Sequence, residues 1–167
     1  EVKSKLKSDK PAAYHEIDTN GTIALNASDF QSASEGVKTV DMLGHSMSAV
    51  TLPRDGRVTY SFTAEKEGDA VLRLALIPTQ PNDNGDLRFS VSVDGGTPEV
   101  FTLKEPFRSE NWKKNVLRGQ ALRELPVRLT EGEHQFTITA LDPHIIVDQW
   151  MVDFKPGRKF YLFPIKN

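Results

Sequence analysis

The sequence predicts an all-β protein, an antiparallel β-sandwich or jelly roll carrying one short helix. Three observations predict it. From residue 22 onward apolar side chains recur at every second position, turn-forming residues punctuate these runs, and an apolar stripe of helical spacing occurs in one place. Period-two alternation sets one face of a segment on a core and the other toward water, as in antiparallel strands. Several short strands separated by regular turns argue for a sandwich or jelly roll.

Residues 1–21 are polar, broken by Asp9-Lys10-Pro11 and Asn20-Gly21, and read as an arm leading into a single β-sandwich domain over 22–167. Ala49–Pro53 reads as a strand. Val58, Tyr60 and Phe62 then alternate with Thr59 and Ser61, and Leu72, Leu74 and Leu76 with Arg73 and Ala75. Leu87, Phe89, Val91 and Val93 alternate with Arg88, Ser90 and Ser92. Leu125, Val127 and Leu129 repeat the pattern, as do Phe136, Ile138 and Ala140. Between these runs stand Pro53-Arg54-Asp55-Gly56, Glu67-Gly68-Asp69, Asn84-Gly85, Asp94-Gly95-Gly96 and Glu131-Gly132. Ser109 is placed to cap the helix, whose stripe is Trp112, Val116 and Leu117 and whose end falls near Gly119. Ile145–Phe154 departs from the rule. Ile146, Trp150, Val152 and Phe154 would share one face, yet Ile145, Val147 and Met151 make the other apolar too. A strand covered on both sides is the favoured explanation; a subunit contact is the other.

At 167 residues the chain suits one domain, long enough to bury about two-thirds of its unfolded surface. Formal charge is −2, and the one basic cluster (Lys3, Lys5, Lys7 and Lys10) sits in the arm. A nucleic-acid partner needs a basic stripe on the fold, and none is present, so no nucleic acid is expected. The longest apolar runs are a few residues, too short to span a bilayer as helices. With no cysteine, disulfides, thiolate metal sites and cysteine nucleophiles are all excluded. A polar, Lys-rich start suits a chain from which a leader or an upstream domain has been removed, so a secreted or periplasmic location is expected.

No motif carries catalysis. Gly44-His45-Ser46-Met47-Ser48 imitates a nucleophile elbow, but its second glycine is Ser48, and a strand follows where an elbow requires a helix. His15, His45, His134 and His144 stand in no ligand spacing. Asn82–Asp86 is oxygen-rich but lacks the closing Glu of a calcium loop, and its Asn-Gly suits a tight turn. Acids fall mostly at turns, where they solvate loops, and no pair stands out for glycoside hydrolysis. No cofactor and no metal are expected.

In order and spacing, Gly44 with Ser48-Ala49-Val50-Thr51, Pro78-Thr79 with Leu87-Arg88, Asn111-Trp112, and Leu141-Asp142-Pro143 followed by Val147–Asp153 form a series. This series, over roughly 16–163, resembles the C-terminal β-sandwich domain of glycoside hydrolase family 115, the xylan α-glucuronidases. The resemblance implies a galactose-binding-like sandwich that is accessory to a catalytic body on other domains, and so a chain with no catalytic residues of its own. Related sandwiches hold calcium through Glu-Ala-Glu; here Asn26-Ala27-Ser28 stands in that place, and no ion is expected. Sugar modules stack rings on aromatics and fix polar groups with cations and amides. Arg88, Asn111, Trp112 and Lys113 are therefore the carbohydrate-binding candidates. Trp112 has two readings, pinning its helix to the sandwich or presenting a ring among cations, while Trp150 is read as core.

The leading expectation is thus a non-catalytic module of a polysaccharide-degrading system. It would pack on a catalytic glycoside hydrolase domain or subunit, with an acidic xylan oligosaccharide as a further contact. A second expectation is a pure dimerisation or docking sandwich, a homodimer included, with an exposed apolar patch along Ile145–Met151. A free-standing glucuronidase or esterase ranks third.

Overall fold

A computed structural model of the protein describes residues 22–77, 87–103 and 120–154. The arm, the helix expected over 109–119 and the Asn82–Asp86 turn lie outside these residues. The strands are β1 (Thr22–Asn26), β2 (Ser32–Ala33), β3 (Lys38–Asp41), β4 (Ser48–Leu52), β5 (Arg57–Ala64), β6 (Gly68–Leu76), β7 (Arg88–Val93), β8 (Glu99–Thr102), β9 (Ala121–Leu129), β10 (Gly132–Ala140) and β11 (Ile145–Asp153). The first sheet has six strands in the order β3-β4-β11-β6-β9, with β1 also on β11, and the second has five in the order β2-β5-β10-β7-β8. Every pairing is antiparallel.

Among the described residues only β3–β4 and β7–β8 are hairpins between sequence neighbours of one sheet. The turns after β4, β5, β9 and β10 instead carry the chain from sheet to sheet, which makes the two layers a sandwich. The β7–β8 hairpin closes on Asp94 and Gly95, both at positive φ (50° and 71°), the conformation that an Asp-Gly pair favours because it matches strand twist.

The core lies between the layers. Leu52, Leu72, Leu74, Leu76, Val147 and Val152 from the first sheet meet Val58, Tyr60, Phe89, Val91, Phe136 and Ile138 from the second. Trp150 sits at the centre, edge-on to Phe136 at 4.9 Å and within 6 Å of the Tyr60 and Phe62 rings. Its indole N–H is buried without an acceptor. The Tyr60 hydroxyl donates to the Ala27 carbonyl at 2.7 Å, and burial, helped by Asp29, pushes the phenol well above its ordinary range.

Two expectations about faces are corrected. Ile146 does not share a face with Trp150: Ile145 and Val147 join Trp150 and Val152 in the core. A β-bulge between Val147 and Gln149 inserts Asp148 as an extra residue, and one extra residue reverses the phase of a period-two pattern. Nor does the far face of β6 meet water. Arg73 and Ala75 are buried beside Ala24, Gln149, Met151 and Asp153, so the outer face of the first sheet is closed over β11. The Arg73 guanidinium is held by the fully buried Asp153 carboxylate at 2.6 Å and by Glu124 at 3.0 Å. Closure on both sides of β11 also removes the apolar interface patch expected along Ile145–Met151.

Candidate functional site

The outer face of the second sheet is open, and its polar phase is continuous. Ser61 faces Gln135 across β5 and β10, Thr59 faces Thr137, and Thr137 faces Ser92 across β10 and β7. Gln31 joins from the segment before β2, its N–H bound to the Thr59 carbonyl at 2.9 Å. The Gln31 side-chain oxygen accepts from the Ser61 hydroxyl and, at 3.0 Å, from the Gln135 amide. The Thr59 and Thr137 hydroxyls share a hydrogen bond at 2.9 Å. Above this ladder runs a groove of about 870 Å³, bounded by Thr63 and Glu133 on one side and Ser92, Asp94 and Gly95 on the other. A smaller hollow of about 310 Å³ continues it along β5 past Ser32, Ser34 and Arg57.

Amides and hydroxyls offer donors and acceptors together, which is the complement a polyol requires. The side chains are already ordered by one another on strands, so little rotamer freedom remains to be lost when a ligand arrives. Phe62 is the aromatic beneath the groove, and it is buried, so it supplies a floor and no stacking platform.

One end of the groove is fixed by His134, stacked on Phe62 with ring centroids 5.6 Å apart. Nδ1 lies 2.6 Å from Asp94 Oδ2 and Nε2 lies 2.7 Å from the Thr130 carbonyl. Both neighbours are acceptors, so the ring satisfies both only as an imidazolium. The Asp94 hydrogen bond, and then the Thr130 carbonyl, raise the His134 pKa above its ordinary value. Burial pushes the Asp94 carboxyl up, but the His134 hydrogen bond and the Gln135 N–H outweigh it and hold it below the usual range.

Arg88, the one sequence-selected candidate among the described residues, lies on this same outer face at the opposite end from His134. Its Nε donates to Asp142 Oδ2 at 2.9 Å, its Nη2 to Oδ1 at 3.4 Å and its backbone N–H to Oδ2 at 2.8 Å. The Arg88 hydrogen bond holds the Asp142 carboxyl below the usual range against the opposing effect of burial. The guanidinium is half exposed, with its charge matched by Asp142. Asn111, Trp112 and Lys113 lie outside the described residues, so the structure does not bring the four candidates together.

The elbow-like segment has a different purpose. Asp148 is fully buried, and its carboxylate accepts from His45 N–H at 2.7 Å, Ser46 N–H at 3.1 Å, the Ser46 hydroxyl at 2.5 Å and the Gln120 amide at 2.7 Å. The Ser46 hydroxyl also accepts from Ser48 N–H at 3.0 Å. This serine is held by a carboxylate, and it clasps the β3–β4 hairpin onto the bulge of β11. At Asn26-Ala27-Ser28, the Ala27 N–H donates to the Asp148 carbonyl at 2.9 Å, and the Asn26 side chain accepts from Gln149 at 3.3 Å. Among the described residues no three His, Asp or Glu side chains group as a metal site would require.

Reasoning from sequence missed the groove. Its signal was present in the polar phase of β5, β7 and β10, but each strand alone reads that phase as solvent-facing surface.

The two-sheet antiparallel sandwich is a fold shared with solved carbohydrate-binding modules. A family 35 carbohydrate binding module from Clostridium thermocellum superposes with a TM-score of 0.62 at 13% identity, over 78% of this chain and 98% of that one. The C-terminal CBM6 of a marine laminarinase from Zobellia galactanivorans does so with a TM-score of 0.59 at 12% identity, over 79% and 98%. At such identities the likeness is one of fold. Residues 17–166 match the glycosyl hydrolase family 115 C-terminal domain, and the chain belongs to that family. A solved family GH115 4-O-methyl-α-glucuronidase with specificity for decorated arabinogalactans is 34% identical over 81% of this chain, with a TM-score of 0.75. The chain spans 18% of that enzyme's length. No curated protein sequence matches it.

Proposed function

We propose that the chain is a non-catalytic, secreted or periplasmic accessory module of a polysaccharide-degrading, α-glucuronidase-like system, and that it contacts glycan through the groove of the second sheet. The observation that carries this reading is the preordered ladder of Gln31, Ser61, Gln135, Thr59 and Thr137 on an open face. Support for a non-catalytic role comes from the acids. Among the described groove residues Asp94 is engaged by His134 and only Glu133 is an unengaged carboxylate, while Asp142, Asp148 and Asp153 are held by Arg88, the hairpin clasp and Arg73; glycoside hydrolysis needs two carboxyls free to face one bond. Arg88 would border the ligand at the far end of the face. Affinity electrophoresis of the chain in gels containing xylan or arabinogalactan tests the reading. Retardation that is lost in a Ser61→Ala/Gln135→Ala variant is the expected result. Equal retardation of native and variant chains, or none in any polysaccharide, rejects the groove. Release of uronic acid by the chain alone rejects the non-catalytic role.

A second reading, docking on the catalytic body, is favoured by the β3–β4 hairpin. Met42 and Met47 are 77% and 50% exposed there, beside Val40, and both adopt positive φ (62° and 60°), rare for unbranched apolar residues. Apolar, adaptable side chains at the tip of a clasped hairpin suit a contact with the remainder of a longer enzyme. A Met42→Ser/Met47→Ser variant of the two-part assembly is expected to associate more weakly with the catalytic body. Unchanged association in sedimentation rejects this surface.

A further inference from the structure

We infer that the groove selects uncharged glycan segments and disfavours uronic acid residues, an inference that rests on the groove being a glycan surface. Its walls and floor are mostly neutral: Gln31, Ser61, Thr63, Ser92, Gln135 and Thr137. The charged members are Asp94, Glu133 and His134. His134 and Asp94 neutralise one another at 2.6 Å, and both Asp94 oxygens are engaged, Oδ2 by His134 and Oδ1 by the Gln135 N–H at 2.9 Å. Glu133 is exposed on the same face, opposite Thr63, and leaves the groove one negative charge in excess. Among the described residues, the cations of this sheet face stand elsewhere. Arg57 lines the neighbouring hollow, four residues along β5 from Ser61, and so on the order of 13 Å from it. Arg88 lies at the far end with its charge matched by Asp142.

A ligand carboxylate entering this groove therefore meets a like charge and, among the described residues, no unmatched cation. Neutral hydroxyls meet amide and hydroxyl partners already in place. At about 7 Å in a water-like dielectric the repulsion from Glu133 lowers affinity roughly threefold, and partial desolvation enlarges that factor. Salt screens it, because the pair is solvent-exposed. In a glucuronidase-like system such a groove would take the undecorated backbone between acidic substituents.

The test is an NMR titration of the ¹⁵N-labelled chain with a matched pair of probes, a neutral xylo-oligosaccharide and its glucuronic-acid-bearing counterpart, reading the amides of Ser61, Ser92 and Gln135. Groove signals that move with both probes, at least about threefold more weakly with the acidic one, support the inference. So does narrowing of that ratio in 0.5 M salt and in Glu133→Gln. Equal or tighter groove binding of the acidic probe overturns the inference and leaves the glycan surface standing. A ratio unmoved by Glu133→Gln overturns its electrostatic cause. Groove amides that respond to neither probe remove the glycan surface itself, and the inference with it.

Discussion

Replacing Gly44 by alanine tests whether the hairpin clasp organises this sandwich. Gly44 has φ +76°, and a Cβ built on it would lie 2.4 Å from Asp148 Oδ1 and 2.7 Å from Oδ2. Two effects should add. Left-handed backbone disfavours alanine by about 1–2 kcal/mol. The clash is with a carboxylate that is fully buried and committed to four donors, so it cannot swing aside as an exposed side chain would. Displacing it weakens charge-assisted hydrogen bonds worth about 1.5–3 kcal/mol each, and losing the equivalent of one brings the total near 4 kcal/mol. Gly95 supplies the control, since its φ is +71° and nothing lies within 4 Å of its Cβ position. Gly95→Ala should then show the backbone effect alone, about 1–2 kcal/mol. The assay is urea unfolding followed by circular dichroism and tryptophan fluorescence. In an Asp148→Ala background the clash is gone, so Gly44→Ala should fall to the Gly95→Ala level. Equal losses for the two glycines in the native background would refute the clasp, as would additivity of Gly44→Ala with Asp148→Ala.

Other consequences follow from the same contacts. Arg73→Met removes the guanidinium 2.6 Å from the fully buried Asp153 carboxylate, and about 3 kcal/mol of stability should be lost in urea unfolding; a loss below about 1 kcal/mol would show that the carboxylate is otherwise supported. His134 has a raised pKa, so its contribution is full below its unfolded value of about 6.5 and disappears as pH rises through the folded value. Asp94 has a lowered pKa, so its contribution is present above its unfolded value of about 3.9 and disappears as pH falls through the folded value. The native chain should therefore exceed Asp94→Asn in melting temperature most clearly between about pH 4 and 6.5, and the gap should close toward pH 9; a gap that widens with pH contradicts the pairing. Met42→Ser/Met47→Ser should leave melting of the isolated chain unchanged within about 0.5 kcal/mol, because both side chains are exposed.

Strand identity was legible because it is local. In β5 and β10 the alternation read from residues 58–62 and 136–140 recurs one for one in burial, since a half-buried strand writes its environment into every second residue. What was not legible depends on distant partners. The phase reversal in β11 comes from one bulge at Asp148, and the residues that stabilise it, His45 and Ser46, lie more than 100 positions away. Arg73 reads as a water-facing cation until Asp153, 80 residues later, is found beside it. The same holds for the groove. Gln31 and Gln135 stand 104 residues apart, and nothing in either neighbourhood marks a glutamine that will share one oxygen with a serine from a third segment. The rejection of Gly44–Ser48 as an elbow rested on the following strand, which was local information. Its role as a clasp needed the fold.

The contrast between the two outer faces bears on affinity as well as on location. On the proposed reading, covering one sheet with buried polar pairs and leaving the other open confines ligand contact to a surface of hydroxyls and amides, without an exposed ring among the described residues. Each hydrogen bond to a sugar there replaces one to water, so the net gain per contact is about 1 kcal/mol. Such a groove binds weakly by itself, in the millimolar range for a few contacts. Weak binding is sufficient for a module tethered to an enzyme, because linkage holds the second contact at a millimolar effective concentration once the first is made. On the proposed reading, adding an aromatic at an exposed groove position, Thr63→Trp, should strengthen binding of the isolated chain by roughly 1 kcal/mol, about fivefold. In the full-length enzyme the same change should alter turnover on long polysaccharide more than on short oligosaccharide. Equal effects on both substrates would place the groove outside the path of the glycan.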